Sequence, residues 1–177
     1  MWSESAFEAL FLEHYPRVVG VLMRLVGERA QAEELANDVF WRAYRQHDLF
    51  GSKGNVGGWL YRTATNLGID SLRASARRRH YEDAAGRARV ECHDANTDPL
   101  SELLRAEREQ RVRAALARLK PDRARILVLR ASGLSYQELA EAMGVKRGSV
   151  GTMLIRAEAQ FQKQYLGLFG TDRGGSL

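Results

Sequence analysis

The chain has 177 residues, 45% of them apolar, and a formal net charge of +5. It is therefore long enough for one ordinary domain or two small ones, and globular rather than disordered. Its only cysteine, Cys92, excludes an intrachain disulfide and a cysteine zinc cluster. No apolar run approaches the ~18 residues that span a membrane, and the N-terminus lacks the basic-then-apolar pattern of a secretory signal, so a cytoplasmic location without membrane insertion is expected.

Few prolines, abundant Ala, Leu, Arg and Glu, and no alternating strand pattern predict an all-α fold. Residues 4–26 place Phe7, Leu10, Phe11, Tyr15, Val18, Leu22 and Leu25 at helical spacing. Pro16 interrupts this stripe where a second helix could begin, since a first-turn proline has no N–H to lose. Gly27 closes the segment. Residues 29–47 form a second amphipathic helix with Ala32, Leu35, Ala36, Val39, Phe40 and Ala43 inward. Glu33, Glu34, Asn37, Asp38 and Arg42 face other ways, acids before bases, as the helix dipole favours. Such a face is either simply solvated or docks a basic protein surface.

Residues 48–58 are glycine-rich and read as a loop carrying Ser52, Lys53 and Asn55, all competent to bond bases or phosphates. Residues 56–79 make a long helix on Val56, Trp59, Leu60, Ala64, Leu67 and Leu72. Its other faces carry Tyr61, Arg62, Asn66 and Asp70, and it ends in Arg73, Arg77, Arg78 and Arg79. Four arginines within seven residues exceed what a helix terminus needs and suit a phosphate backbone. Adjacent aromatics suit unstacked bases. Trp59 is either core or base-facing; Tyr61, off the main stripe, is the more exposed candidate.

Residues 81–98 lose any apolar face and read as a linker. Asp98-Pro99 then begins a helix with Leu100, Leu103, Leu104, Val112, Ala115, Leu116 and Leu119 on one face, and Lys120-Pro121-Asp122 breaks and restarts it. Ile126 to Leu129 are the most apolar run of this half. Gly133 fits a helix C′ position, Ser135 and Glu138 form a capping box, and Gly144 a turn. Small Ala140 and apolar Leu139, Met143, Val145, Val150 and Leu154 supply the interior of a helix-turn-helix, whose second helix enters the DNA major groove. Lys146, Arg147, Ser149, Thr152 and Arg156 are its candidate DNA contacts. The expected domains are 1–80 and 99–167, joined by the linker 81–98, with a polar tail over 168–177.

This organisation resembles the extracytoplasmic-function, or group 4, class of the sigma-70 family of bacterial transcription initiation factors. The resemblance rests on residues 11–17 (FLEHYPR), 32–44 (AEELANDVFWRAY), 58–73 (GWLYRTATNLGIDSLR) and 116–157, in register along nearly the whole chain. It implies that residues 34–47, with Glu33, Glu34, Asn37, Asp38 and Arg42 at or beside the contact, dock on the β′ clamp helices of core RNA polymerase. The β flap is implied as a second polymerase contact. The loop 50–58 would take a base flipped from the −10 element, with Ser52, Lys53 and especially Asn55 in reach. Trp59, Tyr61, Arg62, Asn66, Arg73, Arg77 and Arg78 would follow the opened strand, and Lys146, Arg147, Ser149, Thr152 and Arg156 would read the −35 duplex. The two DNA contacts would be held apart by the linker, with polymerase fixing their spacing. Promoter DNA and an anti-sigma factor are implied partners.

The chain departs from the family at Gly151, Met153 and Ile155, where polar or basic residues are common, so its −35 sequence cannot be copied from relatives. No cofactor or metal is expected. His14, His47, His80 and His93 are scattered and pair with no nucleophile, which disfavours an enzyme. The competing reading is a helix-turn-helix regulator whose N-terminal half dimerises or senses a signal. Residues 32–73 speak against it, because a sensor has no use for an acidic helix, a glycine-rich loop and an arginine-tipped aromatic helix together.

Overall fold

The computed structural model describes residues 3–46, 55–84 and 99–170. Their regular structure is helical throughout: α1 (Glu4–Val26), α2 (Arg29–Arg45), α3 (Val56–Ala84), α4 (Pro99–Ala117), α5 (Pro121–Ala131), α6 (Tyr136–Met143) and α7 (Arg147–Phe169). Ser52, Lys53, Asp98 and the tail beyond Gly170 lie outside the described residues.

Helix ends follow local chemistry. The Ser3 hydroxyl accepts the Ala6 N–H at 3.2 Å to start α1. Gly27 stops it at φ +79°, its N–H bonded to the Met23 carbonyl. Contrary to the expected break, α1 runs unbroken through Pro16. Pro16 is exposed and Leu12, whose carbonyl loses its helical partner, is 68% exposed, so that carbonyl can turn toward water. Pro121 opens α5 at its first turn after extended Lys120. The long helix also exceeds its expected end: α3 continues to Ala84, past the point where its apolar face fades.

The first half is a three-helix layer. Val18, Val21, Leu22 and Leu25 of α1 meet Ala32, Ala36, Val39, Phe40 and Ala43 of α2 and Leu60, Ala64, Ile69 and Leu72 of α3, all buried. Full burial of each Leu or Val contributes about 1.5–3 kcal/mol. Gly68 permits the α1–α3 approach, since a Cβ there would lie 2.5 Å from Leu25 Cδ1 and 3.3 Å from Leu25 Cβ. Phe7, Phe11, Tyr15 and Phe40 close one end with edge-to-face and stacked contacts.

In the second half Leu116, Leu119, Ile126, Val128, Leu129, Leu134, Leu139, Val150, Leu154 and Ala157 are buried together. The apolar face of α4 is only half used, however. Ala115, Leu116 and Leu119 are buried, while Leu100, Leu103, Leu104 and Val112 are exposed. Periodicity assigned the whole stripe to the core, but the neighbouring helices cover only its C-terminal end.

The two halves share one continuous core. Helix α3 packs on α4, α5 and α6 as well as on α1 and α2. The two halves are therefore in contact in this structure, because α3 has apolar and hydrogen-bonding groups on more than the one face that α1 and α2 cover.

Candidate nucleic-acid interface

The helix-turn-helix has the geometry its sequence requires. Glu138 N–H donates to the Ser135 hydroxyl at 3.3 Å and Ser135 N–H donates to Glu138 Oε2 at 2.8 Å, a reciprocal cap. Gly144, at φ +67°, turns the chain, and the Val145 N–H reaches the Ala140 carbonyl at 2.9 Å. Gly133, at φ +85°, makes the preceding turn. Val150, Leu154 and Ala157 hold α7 against α5 and α6. This leaves Lys146, Arg147, Ser149, Thr152 and Arg156 exposed. Ile155, also outward, is 69% exposed, and no atom lies within 4 Å of a Cβ built at Gly148 or Gly151. The backbone is thus uncovered at two positions between its cations, Gly148 and Gly151.

The long helix is differently disposed. Asn55 caps its start, its side-chain carbonyl accepting the Gly58 N–H at 2.7 Å, so the residue singled out for base contact also has a structural task. Trp59 is half-buried and Tyr61 only 2% exposed, which reverses the expected order of exposure. The Tyr61 hydroxyl lies 3.4 Å from His14 Nδ1, and the Arg17 guanidinium sits 5.5 Å from its ring centre. Burial pushes the Tyr61 phenol up despite Arg17, so it stays protonated at neutral pH. Arg62, Arg77 and Arg78 are exposed. Asn66 is exposed at its edge but its side-chain oxygen accepts from Arg125 of α5. Arg73 donates to the Leu119 carbonyl at 2.7 Å. The proposed strand-tracking residues thus divide into an exposed set and a set bonded to the second half of the chain.

Two ion pairs mark that seam. Arg17 of α1 pairs with Glu138 of α6 at 2.8 Å. Burial alone would raise the Glu138 carboxyl, but the Ser135 N–H, Arg17 and the Ser135 hydroxyl hold it below the usual carboxylate range. Arg125 is buried between Asp122, at 2.8 Å, and Asn66. Desolvation lowers its pKa against the opposing pull of Asp122.

On α2, Glu34, Asn37, Asp38 and Arg42 are exposed, while Glu33 is half-covered and paired with Arg29 at 2.8 Å. Sequence reasoning missed the aromatic pair beside them. Trp41 is 60% and Tyr44 45% exposed; their rings lie 6.1 Å apart and 17° from parallel. The signal was present: both fall off the Ala32-Ala36-Val39-Phe40-Ala43 stripe, so helical spacing already put two neighbouring aromatics on the surface.

Comparison with known proteins gives two family matches: residues 10–78 match Sigma-70 region 2, and residues 109–161 match Sigma-70, region 4. The chain is 31% identical over 158 residues to the ECF RNA polymerase sigma factor SigE of Mycolicibacterium smegmatis, covering 89% of this chain and 60% of that protein. It is 30% identical over 166 residues to the RNA polymerase sigma-H factor of Pseudomonas aeruginosa, covering 90% of this chain and 86% of that protein. Among solved structures, CnrH in complex with the cytosolic domain of CnrY superposes with a TM-score of 0.60 at 20% identity, covering 91% of this chain and 88% of that one. The sigma factor RpoE in complex with the anti-sigma factor NepR from Bartonella quintana gives 0.53 at 24% identity, covering 94% and 98%. These structural likenesses support the fold.

Proposed function

The chain belongs to the extracytoplasmic-function class of the sigma-70 family, and from that membership we propose that it binds core RNA polymerase in the cytoplasm and directs initiation at promoters read through −10 and −35 elements. The observation that carries the reading is the presence, on one chain and in family order, of an arginine-tipped helix after an acidic one and a helix-turn-helix with its polar face exposed. Among the described residues no helix is long and apolar enough to cross a membrane, which is compatible with action on polymerase and DNA.

In this reading Glu34, Asn37, Asp38 and Arg42 dock on the β′ clamp helices, Glu33 supports them from its pair with Arg29, and Trp41 and Tyr44 add an apolar contact of the kind that anchors interfaces. Arg62, Arg77 and Arg78 hold strand phosphates; Trp59, Tyr61, Asn66 and Arg73 line or support the strand, and Asn55, with Ser52 and Lys53, faces the flipped base. Opening is driven by binding the extruded base more tightly than the stacked one. Lys146, Arg147, Ser149, Thr152 and Arg156 contact the −35 duplex, and the β flap holds that module in place. Nucleotidyl transfer belongs to polymerase. One solved structure named above holds a sigma factor with an anti-sigma factor, and an anti-sigma factor is proposed here by that analogy.

The test is transcription by core polymerase with and without the purified chain on genomic fragments, with start sites mapped. Specific starts that depend on the chain are expected. Glu34→Lys with Asp38→Lys should weaken polymerase binding at least tenfold and leave the helical signal unchanged; equal affinity would remove α2 from the contact. Tight DNA binding with no polymerase binding would instead favour the regulator reading.

A further inference from the structure

Where α3, α4 and the end of α7 meet there is an open hollow of about 850 Å³. It exists because the facing turns of α3 and α4 carry alanines, Ala76, Ala114 and Ala117, whose short side chains leave the space between the two helices unfilled. Its wall is cationic. Arg73, Arg77 and Arg79 come from α3, and Arg111, Arg113 and Arg118 from α4. Glu107 is the one carboxylate lining it among the described residues, and Arg111 takes it at 2.6 Å. Arg73 donates to the Leu119 carbonyl, and Arg113 keeps its Nε buried without a hydrogen-bond partner among the described residues. The side chains of Arg77, Arg79 and Arg118 have neither an ion pair nor a hydrogen bond among the described residues.

We propose that this hollow is a binding site for a polyphosphate group, free or carried by a nucleotide. Guanidinium groups pair with phosphate through two parallel N–H···O bonds. A row of phosphates can meet guanidinium groups from both walls at once, whereas a single phosphate reaches only a few of them. Like charges facing each other across a gap repel, and an anion between them turns that repulsion into attraction. The volume falls within the range of about 300–1,000 Å³ found for small-molecule sites. Two aromatic rings border it: Tyr81, 73% exposed, and Phe169, whose ring centre lies 5.5 Å from the Arg111 guanidinium. Flat rings of this kind stack on a nucleobase, which gives a nucleotide a second contact that free polyphosphate lacks.

The site goes beyond the promoter reading. Arg73 and Arg77 serve the strand in that reading, but Arg79, Ala114 and Arg118 have no role in it. A test built on these three therefore holds whether or not the chain directs initiation. It also separates a pocket from a charged surface, because Ala114 controls the space and the arginines control the charge.

Isothermal titration calorimetry of the full chain, in magnesium-free buffer at about 0.15 M salt, should show saturable binding of ATP and of inorganic tripolyphosphate. Orthophosphate should bind about tenfold more weakly or worse, since it forms fewer charge-assisted pairs. Arg79→Glu with Arg118→Glu should weaken ATP and tripolyphosphate about tenfold or more. Ala114→Leu, which fills the hollow and leaves its charge alone, should weaken them as well. Arg45→Glu with Lys163→Glu, at exposed positions outside the lining, makes the same change in net charge and should leave affinity unchanged. Circular dichroism and a cooperative melt check that each variant folds; if the charge-reversed chain does not, Ala114→Leu decides. Tighter binding of ATP assigns the site to nucleotides and tighter binding of tripolyphosphate to the free polyanion, and either supports it. No saturable binding overturns the proposal, as does an equal loss in the Arg45→Glu, Lys163→Glu chain or full affinity in Ala114→Leu. A fluorescein-labelled single-stranded oligonucleotide that loses affinity on Arg79→Glu with Arg118→Glu, while neither small ligand binds the parent, would give the hollow to nucleic acid instead.

Discussion

At Ser135 and Glu138 one pair of side chains does three things: it caps α6, orients the turn into α7 and, through Arg17, touches the other half of the molecule. Ser135→Ala removes the hydroxyl that satisfies a first-turn N–H and should lower stability by about 1 kcal/mol, read from urea unfolding. Glu138 adds a pH dependence. Its carboxyl is held below the usual range when folded, so the unfolded chain takes up its proton first. The stabilisation is present at neutral pH and is lost as pH falls below about 4.3 through the depressed folded value. The stability gap between the parent and Glu138→Gln should therefore shrink on acidification; a constant gap would show that the charge contributes nothing. The cap was legible because both partners sit three residues apart. Tyr61 was misjudged for the opposite reason: its cover comes from His14 and Arg17, and no local spacing reports that a residue some fifty positions earlier in the chain will lie over a ring.

At the scale of the helix, two mid-helix glycines with the same propensity have opposite meanings. Gly151 faces open space and Gly68 faces Leu22 and Leu25. Gly151→Ala should stabilise α7 by about 1 kcal/mol, whereas Gly68→Val should destabilise the first half by about 1–3 kcal/mol through overpacking. Thermal unfolding of the two variants beside the parent distinguishes them: the melting temperature should rise for the first and fall for the second. If Gly68→Val is neutral, α1 and α3 can separate without loss and the tight approach has no energetic weight. The helices themselves were legible from the 3.6-residue period, and so were the stops at Gly27 and Gly144. What the period could not say is what covers each stripe. It gave α4 the same inward face from Leu100 to Leu119, yet the neighbouring helices cover only the second half. The period ran on through residues 4–26, and it was Pro16 that suggested an interruption there, where α1 in fact continues.

Over the whole molecule, charge is sorted by task. Glu34 and Asp38 stand exposed on α2, whereas Arg77 and Arg78 tip α3 and Lys146, Arg147 and Arg156 line the outer side of α7. Order along the chain revealed this sorting; the contact between halves was not legible, because residues separated by more than a hundred positions, such as Arg17 and Glu138, form it. The recognition helix carries few cations for a duplex, so its own affinity should be modest, and polymerase supplies the rest by raising its effective concentration at the promoter. Salt separates these contributions. Each phosphate neutralised by a cation adds about 0.9 to the slope of log affinity against log salt. Arg156→Ala should therefore weaken binding to a duplex carrying the mapped −35 element and flatten the slope by about 1. Tethering changes the absolute affinity without changing how many phosphates α7 touches, so the slope change should be the same in the free chain and in the polymerase complex. Fluorescence anisotropy over a salt series measures both. An unchanged slope in each would place Arg156 away from the phosphates and leave Lys146, Arg147 and bare backbone at Gly148 and Gly151 as the duplex contact.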